Sequence, residues 1–206
     1  MQIFYGTGNE SKLRNMRALL EGMDVQLLSP AELGIALPAV EESGATPLEN
    51  AELKARAYYK ATGLPSFALD SGLYLEGVPD AEQPGPYVRR VHGKELTDEE
   101  FIAYYAGLAH AHGGKLRAQF VNGLCVVQND GTCKTAFGPA VSTDWFWIVD
   151  RPCEVRLKGF PMDSIAIDPG TGRYWVENDL KDESSAKGSS LAVGIRRFFA
   201  ELLQNC

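Results

Sequence analysis

Cysteine is scarce and badly placed for structural chemistry. Cys125, Cys133, Cys153 and Cys206 form no CxxC pair, and none of the three histidines stands beside them at ligand spacing. Neither a zinc site nor a disulfide framework is expected, and reduced thiols in a cytoplasmic protein fit better. No apolar run approaches the length of a membrane span. The opening Met1–Asn9 has no basic segment and turns polar too soon for a signal peptide. Basic charge is also short: 20 Lys and Arg against 27 Asp and Glu, a net charge of -7. That balance argues against a nucleic-acid surface, which needs a basic face. It leaves room for a small anion held by a local basic cluster. Repeats, low-complexity segments and clear linkers are absent. What is present is an ordinary globular composition, 45% hydrophobic and 23% charged. It suits one domain over residues 1–206, or two closely joined lobes.

The stretch from Ser66 to Val78 draws the eye first. Ser66 to Leu69 reads as a buried strand, Asp70-Ser71-Gly72 interrupts it, and a second apolar run, Leu73 to Leu75, follows. Glycine allows a turn or a close approach to a ligand. A carboxylate at a strand end can face a cleft and hold a hard cation. A polar turn with Asp70 capping its own backbone accounts for the pattern equally well.

Upstream, Gln2 to Tyr5 reads as a strand, Gly6-Thr7-Gly8-Asn9 as a turn, and a helix begins near Glu10 with Leu13, Met16 and Leu20 on one face. A strand, a glycine turn and a helix start offer free amides and a positive dipole end, with Lys12 one turn in. The pattern is neither a Walker A loop nor a dinucleotide fingerprint, and an Asn-capped structural turn explains it too. Val25 to Leu28 reads as a second strand, and the stretch on to Val40 as loop. Thr46 with Glu49 is a capping box and Pro47 takes the first helical position, so a helix starts there. Leu48, Ala51, Ala55 and Tyr58 form its buried stripe. The acids Glu41 and Glu42 precede it. They are solvated near the helix dipole, or one of them joins Asp70 in a cation site.

Thr97 with Glu100 opens another helix, with Phe101, Tyr104, Tyr105 and Leu108 inward. Leu116 to Gln128 and Lys134 to Val149 read as long strands joined by Asn129-Asp130-Gly131. Trp145 and Trp147 share a side. Lys158 to Asp163 is a loop entering a strand, Ser164 to Ile167. Arg173 to Val176 returns after a turn, and Ser184 to Ser190 leads into a last helix with Leu191, Ile195, Phe198 and Leu202 inward.

Four motifs fall in a familiar order: Thr7-Gly8-Asn9 with Lys12; Glu41 to Ala55 with Lys54; Asp70-Ser71-Gly72-Leu73; and Pro84-Gly85-Pro86-Tyr87 followed by Arg90. Together they resemble the inosine triphosphate pyrophosphatase family, closely in the N-terminal half and thinly afterwards. The resemblance implies an α/β fold: two lobes around a long mixed β-sheet flanked by helices, an active cleft between the lobes, and a homodimer. It implies Mg2+-dependent hydrolysis of non-standard purine nucleoside triphosphates to the monophosphate and pyrophosphate. It gives Thr7, Gly8, Asn9, Lys12, Lys54 and Ser71 to the triphosphate, Glu41 and Asp70 to the metal, and Asp70 to the attacking water as base.

Three departures stand out. Leu69 occupies the place of the family's first acid. The family's G-F-G-Y-D loop is here Gly159-Phe160-Pro161-Met162-Asp163, in which Phe160 can still stack on a base and Asp163 close the pocket. The late Ser-His-Arg element is absent, and Glu183 to Ser190 stands in its place. Serine cannot reproduce a bidentate arginine, so base selectivity is expected to be weaker or altered. A pyrophosphatase for another modified nucleotide, or a nucleotide binder without turnover, are the other readings.

Overall fold

The computed structural model describes residues 1–91, 93–179 and 189–204. Strand order in the main sheet is β2-β1-β3-β6-β8-β9, with β7 also paired to β6. These are β1 (Gln2–Tyr5), β2 (Gln26–Leu28), β3 (Ser66–Leu75), β6 (Lys115–Val127), β7 (Cys133–Phe137), β8 (Phe146–Val149) and β9 (Ala166–Ile167). The strands β4 (Arg90–Val91) and β5 (Lys94–Glu95) form a separate antiparallel pair. β1 runs parallel to β2 and β3, whereas β6 is antiparallel to β7 and β8. The expected long mixed sheet with flanking helices is therefore present.

The chain divides into two compact units. The first comprises Met1–Ser71, Val121–Ser142 and Ser189–Cys206. Its helices are α1 (Glu10–Leu19), α2 (Pro30–Leu33), α3 (Pro47–Thr62) and α6 (Ser190–Leu203). One face of its strands carries Ile3, Tyr5, Leu27, Phe67, Leu124 and Val126 against Met16 of α1 and Phe198, Phe199 and Leu202 of α6. The other carries Phe4, Ala68, Cys125 and Val127 against Ala51, Ala55 and Tyr58 of α3. Strand alternation produces this two-sided core, since Phe4 and Tyr5, or Phe67 and Ala68, face opposite ways.

Helix α3 starts where the Thr46 signal puts it. Thr46 Oγ1 accepts from the Glu49 amide at 3.2 Å, while Glu49 reaches the Ala45 amide at 2.7 Å. Its first turn sits flush on β6 at Gly123. A Cβ there would lie 2.3 Å from the Leu48 nitrogen and 2.5 Å from the Pro47 carbonyl carbon. Both are backbone atoms, so the helix would have to move. Gly123→Ala is expected to cost roughly 2–3 kcal/mol and to lower the thermal midpoint by about 5–10 °C. An unchanged midpoint in a thermal melt would refute this seating.

The second unit comprises Gly72–Phe120 and Thr143–Gly188. Its core is Leu73, Leu75, Leu116, Phe146 and Ile148 against Phe101, Ile102, Tyr105 and Ala109 of α4 (Asp98–Ala111), with Met162 and Ile165. Thr97 and Glu100 cap α4 reciprocally.

Several expected elements differ. β3 runs unbroken through Asp70-Ser71-Gly72, so no turn interrupts it. The Lys134–Val149 strand breaks at Gly138 (φ 76°) and Pro139, where a short 3-10 turn separates β7 from β8, because proline cannot donate to a ladder. Ser164 ends a 3-10 turn, and only Ala166–Ile167 pairs. Tyr174 forms a single bridge, and a helix, α5 (Trp175–Asp179), replaces the returning strand. The expected loop after β2 holds α2, opened by a Ser29–Glu32 capping box. Tyr104 is exposed, and Ile102 takes the inward place.

Candidate active site

Asn9 caps α1. Its side-chain oxygen accepts from the Ser11 and Lys12 amides at 3.0 and 3.1 Å, and its own amide donates to Thr7 Oγ1 at 3.2 Å. The expected row of free amides is thus partly used. The Gly8 and Glu10 amides have no partner among the described residues. Beside this turn is a recess of about 250 Å³, lined by Thr7, Gly8, Asn9, Lys12, Glu42 and Lys54, with tyrosines 5 and 58.

Lys54 is the hub. Its ammonium lies 2.7 Å from Asp70 Oδ1 and 3.0 Å from Glu42 Oε2. The Lys54 and Asp70 side chains are only 16% and 13% exposed. Burial pulls the Lys54 pKa down, but the Asp70 and Glu42 carboxylates outweigh it and the net shift is upward. The lysine is a firm cation. The other Asp70 oxygen, Oδ2, is buried without a hydrogen-bond partner. Such an atom costs free energy unless something fills the place.

The structure therefore brings Thr7, Gly8, Asn9, Lys12 and Lys54 around one recess in the first unit, with Asp70 held on the Lys54 ammonium. Both acids before α3 are exposed, and Glu42 is the one that meets Lys54. Ser71 follows Asp70 on a strand and so faces the opposite side. It donates to Asn122 Oδ1 at 2.6 Å, and the buried Asn122 in turn donates to the Val141 carbonyl at 2.7 Å. Leu69, in place of an acid, packs on the core shared with α6.

Phe160 and Asp163 belong to the second unit. Half-buried Phe160 precedes the 3-10 turn Pro161–Ser164, within which Asp163 is buried. Asp98, paired with Arg89 at 2.8 Å, accepts from the Gly159 amide at 2.8 Å and pins this loop. Residues 183–188 of the late segment, like Cys206, lie outside the described residues. Ser189 caps α6 through the Ala192 amide at 3.2 Å. Arg196 donates to the Leu19 and Glu21 carbonyls at the end of α1. Arg197 is exposed.

The residues alone left Glu41 and Glu42 open while the resemblance named Glu41, and sequence reasoning placed Tyr58 only in the core and missed Asn122. The signal for Tyr58 was its spacing of four from Lys54, which puts both on one helix face.

The chain is similar to known proteins along its length. The dITP/XTP pyrophosphatase of Coxiella burnetii is 39% identical over 195 residues, covering 93% of this chain and 93% of that protein. The dITP/XTP pyrophosphatase of Halorhodospira halophila is 34% identical over 209 residues, covering 98% and 99%. The solved structure of a HAM1 protein from Coxiella burnetii superposes with a TM-score of 0.75 at 26% identity, covering all of both chains. Residues 3–144 match the profile of the Ham1 family, and the chain belongs to that family.

Proposed function

We propose that this protein hydrolyses non-standard purine nucleoside triphosphates such as dITP and XTP to the monophosphate and pyrophosphate. The observation that carries the reading is the buried, half-satisfied Asp70 carboxylate, held by Lys54 beside an anion-suited turn. The dITP/XTP pyrophosphatases at 34–39% identity along the chain support the same reading.

The chemistry brings water against an already anionic phosphorus, so charge and positioning dominate. Lys12 and Lys54 offset charge on the phosphates. The open Gly8 and Glu10 amides at the positive end of α1 suit phosphate oxygens. Asn9, whose carbonyl oxygen is held by the cap, keeps its NH2 group for the same purpose. Asp70 orients the attacking water and takes its proton as the bond between the α-phosphorus and the bridging oxygen breaks and pyrophosphate leaves. Ser71 would join the phosphate contacts only by leaving Asn122.

Mg2+ fits the donor set. Asp70 Oδ2 is an unpartnered hard oxygen with Glu42 close by, and Mg2+ takes few protein carboxylates alongside waters and substrate phosphates. Asp70 with Glu41 or Glu42 would hold the ion, which when bound would neutralise phosphate charge. Phe160 would stack on the base and Asp163 close over it. The family resemblance extends the proposal to a cytoplasmic homodimer.

The test is pyrophosphate release from inosine, xanthosine, guanosine and thymidine triphosphates, with Mg2+ and with chelator. Release that needs the metal is expected, with a shallow ranking of bases because the Ser-His-Arg element is absent. A steep preference for the inosine and xanthosine substrates would refute the weakened selectivity. No release from any of the four would refute the activity on them.

A further inference from the structure

Tyr58 stands one turn beyond Lys54 on α3 and is 7% exposed. Its ring meets Phe4 edge-on, with centroids 5.8 Å apart at 80°. The ring also lies against Gly6. A Cβ at Gly6 would be 2.2 Å from Cε2 and 2.5 Å from Cζ, the carbon that bears the hydroxyl. Gly6 is not in the left-handed region, so its backbone does not demand glycine. The ring does. The missing side chain at Gly6 is a cut-out that lets the phenol lie across the end of β1, with its oxygen end at the head of the Gly6–Asn9 turn.

Core packing explains the ring but not the hydroxyl, since phenylalanine would fill the same space. The ring is nearly buried, but the hydroxyl, which has no hydrogen-bond partner among the described residues, keeps an open side on the recess that Tyr58 lines. Burial raises its pKa; Lys54 opposes that, and Glu42 and Asp70 add to it. It stays protonated at neutral pH and can donate.

We propose that Tyr58 is a substrate-binding residue of this site, donating its hydroxyl hydrogen to a phosphate oxygen of the bound triphosphate. The proposal rests on the triphosphate reading above. It adds a neutral donor on the same helix face as the Lys54 cation.

Tyr58→Phe keeps the ring, the Phe4 contact and the Gly6 packing, and removes one hydroxyl. The experiment compares wild type and Y58F in two assays with Mg2+ present: steady-state pyrophosphate release, and calorimetric binding of inorganic tripolyphosphate. Both KM and the tripolyphosphate Kd are expected to rise roughly tenfold, the size of one hydrogen bond to a charged oxygen. The thermal midpoint should not move. Equal KM and equal Kd in the two proteins would overturn the proposal. Tripolyphosphate binding that depends on Tyr58, in a protein that releases no pyrophosphate from any nucleotide, would uphold the contact and overturn the enzymatic reading instead. Failure of both proteins to bind tripolyphosphate would overturn the proposal.

Discussion

Asp70→Asn is expected to lower kcat/KM for triphosphate hydrolysis by roughly a thousandfold or more, within the range for removing a positioned general base. The substitution is nearly isosteric and sits on a ten-residue strand, so the fold should survive it. The amide oxygen can keep the Lys54 contact now made by Oδ1 at 2.7 Å. What is lost is the second oxygen, the buried Oδ2 that no other group satisfies. An NH2 in its place is a donor. It can neither accept a proton from water nor join a cation site. Pyrophosphate release by the variant, checked alongside its thermal melt, decides the matter. Retention of a tenth or more of wild-type activity in a folded variant would exclude Asp70 as base.

Lys54→Met is expected to lower kcat/KM by on the order of a hundredfold, comparable with removing one preorganised electrostatic partner of a transition state. The loss has two sources. The phosphates lose a buried cation, and Asp70 and Glu42 are left without the ammonium that holds both carboxylates. Salt should not rescue it, because an 84%-covered side chain is little screened. The same ion pair predicts a pH signature in stability. The folded-state pKa of Lys54 is raised, so its contribution is complete below the ordinary lysine value of 10.5 and is lost as pH rises through the raised value. The midpoint difference between wild type and Lys54→Met should therefore hold steady through neutral pH and shrink only in strong alkali. A difference that vanishes near pH 8 would mean that the ammonium is not held as described.

Much of this arrangement was legible in the residues, and the misses have physical reasons. Caps are local, so Asn9, Thr46 and Thr97 marked helix starts that the structure keeps. Ser29-Pro30 with Glu32 carried the same signal, but four helical residues show no apolar period and the stretch read as loop. Asp70-Ser71-Gly72 read as a possible break because three small or polar residues look like a turn. Tertiary pairing overrides that local preference, and the strand continues because Asp70 meets Lys54 on one side while Ser71 meets Asn122 on the other. The residues alone could not choose between Glu41 and Glu42, and the resemblance favoured Glu41, whereas it is Glu42 that meets Lys54. That depends on how the chain enters α3, where the Gly44 amide donates to the buried Asn50 side chain at 2.8 Å. Tyr58 was visible only as an apolar position in a helical stripe. Its hydroxyl acquires meaning from Gly6, fifty-two positions away in the chain and in contact with its ring.

The last helix has a consequence for how the protein is made. Phe199 of α6 stands edge-on to Phe67 of β3 at 5.2 Å, and Gly194 lies so close to Ala140 that a Cβ would be 1.8 Å from its carbonyl oxygen. Ile3, Leu27 and Phe67 thus leave the ribosome long before the helix that covers them. At roughly 5–20 residues per second, the wait for Phe199 is about 7–26 s for Phe67 and about 10–39 s for Ile3. Throughout that interval the nascent sheet shows an uncovered apolar face, the kind of surface that chaperones engage and neighbouring chains aggregate on. Translation speed, more than any local propensity, sets how long the growing chain stays vulnerable.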